Sequence, residues 1–158
     1  MKEFIYMSAI KAIYQAPKTF MQENATTVAT VYYNGQKYTG MATLHPEDMD
    51  FNSEKIGRTI ALSRARQAAI KAALKTSKQI ATIKSQMYRE VLGYGSVPST
   101  KVDPTGALYR NMRHAYVRVY ALEEALQKEE KGLKNYLAGQ KIAIASIRRM
   151  RANKDKNN

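Results

Sequence analysis

The stretch TTVATVYYNGQKYTGMATL, residues 26–44, limits the possible folds of this chain more than any other. Two runs rich in β-branched and aromatic residues flank Asn34-Gly35. That dipeptide between such runs selects a tight hairpin, because both turn positions need positive φ. In the first run Val28, Thr30 and Tyr32 share one face, and Thr27, Ala29, Val31 and Tyr33 the other.

Helical signals surround this hairpin. Residues 3–15 read as a short helix ended by Pro17. Asn52 or Ser53 caps a second helix over about 53–91, with Asp48 and Asp50 near its positive end and Gly93 at its stop. At about 100° per residue, Ala61, Leu62, Ala65, Ala69, Ala72, Ile80, Ile83 and Met87 fall in one arc, which can bury against the hairpin or another helix. GYGSVPSTKVDP is a loop, and Asp103-Pro104 supplies the cap and first position of the next helix. There Leu108, Met112, Ala115, Val119, Leu122 and Leu126 alternate spacings of four and three, the rhythm of helices packed side by side. Whether this seam is internal or joins two copies in a homodimer stays open. A last helix, about 133–151, carries Leu133, Leu137, Ile144 and Ile147 on one side, and Gly132 bends it away from its predecessor.

The expectation is an α+β fold: a short N-terminal helix and a β-hairpin packed on a long basic helix, followed by two further helices. Residues 1–92 form the helix–hairpin–helix unit, 93–105 a loop, 106–152 a helical hairpin or extension, and 153–158 a disordered tail.

Charge sorts the function classes. The chain has 26 Lys+Arg against 13 Asp+Glu, a net charge of +13. This favours a polyanionic partner: nucleic acid, a nucleoprotein, an anionic membrane face or an acidic protein. Residues 1–52 hold four basic and five acidic side chains, whereas 53–92 hold nine and two, and 128–158 nine and three. In the long helix Arg64, Lys71, Lys75, Lys78 and Arg89 cluster nearly opposite the apolar arc. A merely solvated face usually mixes signs; an unbalanced stripe repels itself until a polyanion meets it. Two further candidates are YRNMRHAYVRVY, where Arg113 is interleaved with Tyr109, Tyr116 and Tyr120, and the cluster Arg148, Arg149 and Arg151. Arginine among tyrosines pairs with phosphate while rings stack on bases, and the same tyrosines equally suit the border of a core.

Catalytic signals are sparse. With no cysteine and two histidines, thiolate chemistry is excluded and a nucleophile–base pair has little to draw on. The HPEDMD loop, His45 to Asp50, gathers one histidine and three acids, the material of a metal-dependent nuclease. Two-metal sites draw ligands from separate elements, however, and Asp48 and Asp50 already have a reason to be there in the helix terminus. The reading is therefore a helix-entry loop, with no metal site, no cofactor and no catalytic residue. No window approaches eighteen apolar residues, so no membrane span is expected. The N-terminal apolar run is broken by Ser8 and Lys11 and preceded by Glu3, unlike a signal peptide, and a cytoplasmic protein is expected.

Two resemblances add context. VYYNGQKYTG leading to a helix with RQAAIKAALK resembles a double-stranded-RNA-binding domain over residues 3–75. Two strands are evident where that family has three, and Glu54-Lys55-Ile56 replaces its lysine pair, so its RNA contacts do not transfer. The run ATVYYNGQKYTGMATLHPEDMDFNSEKIGRTIALSRARQ is similar to small proteins of phages and mobile elements in Gram-positive bacteria. That family context implies a bacterial host cell and, in its most specific form, an anti-CRISPR inhibitor whose partner is a nucleoprotein such as Cas9 with its guide RNA. The alternatives are a general DNA- or RNA-binding protein and a nuclease using His45–Asp50.

Overall fold

The computed structural model describes residues 3–51, 53–92 and 106–156. The order is α1 (Glu3–Gln15), β1 (Lys18–Glu23), β2 (Thr26–Tyr33), β3 (Gln36–Thr43), a 3-10 helix (Pro46–Phe51), α2 (Glu54–Leu92) and α3 (Ala107–Lys156). The class is α+β, as expected. No described helix is long and apolar enough to cross a membrane.

The Asn34-Gly35 hairpin forms with both residues at positive φ, 55° and 73°. Ala29 pairs with Gly40 and Val31 with Tyr38 across it. The sheet has a third strand, however, where two were expected: β1 pairs antiparallel with β2 and sets Phe20 opposite Ala29. In KTFMQE only Phe20 is even half-buried, so no alternation marks the strand. Its turn uses Asn24 at φ 52° without a glycine. Tertiary pairing with β2, not local pattern, makes it a strand.

α2 lies on the Thr27, Ala29 and Val31 face, the second of the two faces in the hairpin pattern. Gly57, Ala61, Ala65 and Ala69, four residues apart, give it a small-residue edge, so its backbone comes close to the sheet. At Gly40 a Cβ would lie 2.2 Å from the Ala61 carbonyl oxygen and 2.3 Å from the Ala65 nitrogen. Ala29, Val31, Ala42, Ala61 and Ala65 form the resulting core. Ser53 caps the helix: its Oγ accepts from the Ile56 N–H at 3.5 Å and its carbonyl from Gly57 at 3.0 Å.

Past the sheet, α3 is the element that buries α2 among the described residues, and this corrects the predicted arc. Ile80, Ile83 and Met87 are exposed, while Ser77, Ala81 and Ser85 are buried. Ala81 meets Ala115 and Val119. Leu122 and Ala125 join Ile13 of α1 with Ala69, Ile70 and Ala73 in the central core. Ala115, Val119, Leu122 and Leu126 of the Leu108–Leu126 seam thus pack within the same chain.

The two further helices are one. α3 runs unbroken through Gly132 and Gly139 and continues to Lys156, so Gly132 does not end a helix and residues 153–156 are helical. Each glycine costs about 1 kcal/mol in a helix interior, a small sum against burial along α2. The 93–105 loop, the Gly93 stop, the Asp103-Pro104 cap and Asn52 lie outside the described residues.

Candidate nucleic-acid interface

α2 is covered by the sheet, by α1 and by α3 on successive sides. One side that stays open bears Arg64, Lys71, Lys75, Lys78 and Arg89, all exposed. From Arg64 to Arg89 this stripe is about 37 Å long. Its neighbours follow from two ion pairs: Lys71 to Glu130 at 3.1 Å and Lys78 to Glu123 at 2.8 Å. The acids missing from α2 are therefore supplied by α3, and the stripe is less unbalanced than its own segment suggests. Both pairs are about half exposed, and such pairs contribute roughly 0–1 kcal/mol, so a phosphate can displace either carboxylate at low cost.

These pairs also fix which flank of α3 adjoins the stripe. Tyr116 and Tyr109 precede Glu123 by seven and fourteen residues, and Tyr120 by three, so they share that flank. All three tyrosines are exposed, Tyr120 by 65%, and Arg113 beside them is exposed too. Tyr109 also touches Tyr88 of α2, with ring centroids 5.9 Å apart. Two lysines not among the expected contacts, Lys134 and Lys141, extend this flank. They stand seven residues apart, continue to Arg148 at the same interval, and are exposed on the same row.

The remaining candidates divide by their contacts. Arg64 donates to the Met41 carbonyl, covering the outer edge of β3. Arg148 donates to the Glu47 carbonyl at 2.8 Å and pairs with Asp48 at 2.7 Å, tying α3 to the 3-10 helix. Arg149 and Arg151 are exposed one turn or less from it. Lys75, Arg89, Arg113 and Arg149 make no ion pair among the described residues.

In the HPEDMD loop the described side chains have other partners. Asp48 is committed to Arg148, and His45 Nδ1 accepts from the Glu47 N–H at 3.3 Å. Among the described residues no three His, Asp or Glu side chains are grouped to hold a metal ion.

A polar knot joins the three helices. The Tyr14 hydroxyl donates to Glu129 Oε2, and Ser63 Oγ donates to Oε1 at 2.7 Å. The Arg66 guanidinium lies 4.7 Å from the Tyr14 ring centroid. Burial first, then the Glu129 hydrogen bond, pushes the Tyr14 hydroxyl up to about 12 from 10.0. With both carboxylate oxygens taken, the knot serves to fix α1 and α3 on α2.

The fold and site define a class: a three-stranded antiparallel sheet on a pair of long antiparallel helices, with an exposed basic stripe along one of them. No family model, curated protein or solved structure matches this chain.

Proposed function

We propose that the protein binds nucleic acid, free or within a nucleoprotein complex, through the α2 stripe and the adjoining flank of α3, without catalysis. The observation that carries this reading is the stripe itself: five exposed cations along one open side of α2, with tyrosines and Arg113 beside them. Cations along a straight rod match the regular phosphates of a backbone, and exposed rings beside them match bases. The helix–three-strand–helix order over 3–92 supports the same reading, since it removes one of the two departures from the double-stranded-RNA-binding domain. The other departure, Glu54-Lys55-Ile56, stands. In its most specific form the protein is a phage-type inhibitor of a CRISPR-Cas nuclease, a form supported by the resemblance of the segment from Ala29 to Gln67.

The test is binding to labelled single- and double-stranded DNA and RNA at low and physiological salt, with and without Mg²⁺. Saturable, salt-sensitive binding with an intact probe is expected. Replacing Lys75, Lys78 and Arg89 by glutamine should lower the duplex log–log salt slope by about 2.7, at roughly 0.9 per phosphate contact. An unchanged affinity and slope would leave the stripe a solvated face. No naked-probe binding, but loss of Cas9 cleavage on adding the protein, would favour the inhibitor form. Probe degradation abolished by changing Asp48 and Asp50 would make it a nuclease instead.

A further inference from the structure

A groove runs along a different side of α2 from the stripe. Leu62 on its floor and Arg64 in the stripe are two residues, and so about 200°, apart around the helix. Two adjoining hollows of about 350 and 310 Å³ share Thr59 and Leu62. The first is walled by Lys18 and Phe20 of β1 beside Lys55 and Arg58. The second is walled by Lys128, Leu133 and Tyr136 of α3 beside Arg66. From Lys55 to Arg66 the groove follows α2 for about 17 Å, three helical turns.

Its chemistry is specific. Leu62, Phe20, Leu133 and Tyr136 are each half-buried and form an apolar floor. Around it stand five cations: Lys18, Lys55, Arg58, Arg66 and Lys128. The two acids of the lining are already engaged, Glu54 with Arg58 and Glu129 with the Tyr14 and Ser63 hydroxyls. Arg58 lies 5.3 Å from the Phe20 ring centroid, which keeps that side chain against the floor. Among the described residues Lys128 makes an exposed 3.5 Å pair with Glu124, which is easily given up.

We infer that this groove docks an acidic amphipathic helix of a partner protein. A helix with apolar side chains at i, i+3, i+4 and i+7 fills the Leu62–Leu133 floor, and glutamates or aspartates on its margins meet the five cations. Charge complementarity selects this occupant. A nucleic-acid strand would satisfy the cations but offers no aliphatic surface to Leu62 and Leu133. The inference does not depend on the stripe's binding nucleic acid.

The experiment uses the full chain and a labelled helical peptide of about fifteen residues, with leucine at the seam positions and glutamate elsewhere. Saturable anisotropy binding is expected, lost with a same-composition scrambled peptide and with a lysine-for-glutamate peptide. The double variant Lys55→Glu, Arg58→Glu should weaken binding about tenfold or more with an unchanged circular dichroism spectrum. Lys75→Gln, Lys78→Gln should leave it unchanged. Should the charge reversal unfold the chain, amide shift mapping on the unaltered protein decides: signals of residues 55–66 and 128–136 move on peptide addition. Failure to saturate, equal binding of the scrambled peptide, or shifts confined to residues 71–89 would overturn the proposal. So would an oligonucleotide that displaces the peptide and moves the same groove signals.

Discussion

Gly40→Ala is the sharpest test of how α2 rests on the sheet. The added Cβ would lie 2.2 Å from the Ala61 carbonyl oxygen, and contacts below 3.0 Å are essentially never made, so the helix must lift by at least 0.8 Å, the difference of the two. Neither that oxygen nor the Ala65 nitrogen can rotate away, because both belong to the backbone of α2. The lift opens the Ala29, Val31, Ala42, Ala61 and Ala65 cluster. A radial gap of 0.5–1 Å already forfeits roughly a quarter to a half of each dispersion contact. Overpacking typically costs about 1–3 kcal/mol, and a backbone clash over a whole cluster belongs at the upper end. We expect a loss of about 3 kcal/mol, and a Tm lowered by roughly 6–12 °C at about 2–4 °C per kcal/mol for a chain of this length. Urea and thermal unfolding followed by far-UV circular dichroism would measure it. Gly139→Ala is the control: a Cβ there meets nothing within 4 Å, and the helix interior should gain about 0.5–1 kcal/mol. A Gly40→Ala protein within about 0.5 kcal/mol of the parent would refute the close helix–sheet approach.

Two further outcomes are expected. Glu123→Gln with Glu130→Gln releases Lys78 and Lys71, so duplex affinity should rise about threefold or more and the salt slope should steepen; an unchanged titration would mean these lysines take no part. For Tyr14, the folded-state pKa is raised from 10.0 to about 12, so its contribution to stability is complete below pH 10 and is lost as pH rises to 12. Difference absorbance titration against Tyr14→Phe should show one hydroxyl ionising near pH 12 in the parent alone, and stability of the variant should vary less over pH 10–12.

The hairpin, the start of α2 and the composition of the stripe were legible because each is written locally. Asn34-Gly35 fixes its own turn, Ser53 caps its own helix, and Arg64, Lys71, Lys75 and Lys78 share a side by helical spacing alone. The apolar arc was legible only as far as the sheet extends. Ala61 and Ala65 are buried by it, whereas Ile80, Ile83 and Met87 continue the same arc beyond its edge and remain exposed. Periodicity gives the direction in which a side chain points, not whether another element stands there. The groove was not legible, since Lys18, Arg58 and Lys128 come from three elements with no shared spacing.

The sequence by itself determined the α+β class, the tight turn at Asn34-Gly35 and the sign of the surface, because backbone preferences, helical period and charge act over a few residues. Tertiary structure alone decided that KTFMQE is a strand, that α3 passes through Gly132 unbroken, and that Lys71 and Lys78 face Glu130 and Glu123. Each of these depends on a surface that arrives from elsewhere in the chain: the open edge of β2, the length of α2, and a flank of α3 more than forty residues away from its lysine partners. Burial against such a surface outweighs the weak local signals for an exposed edge strand or a glycine in a helix.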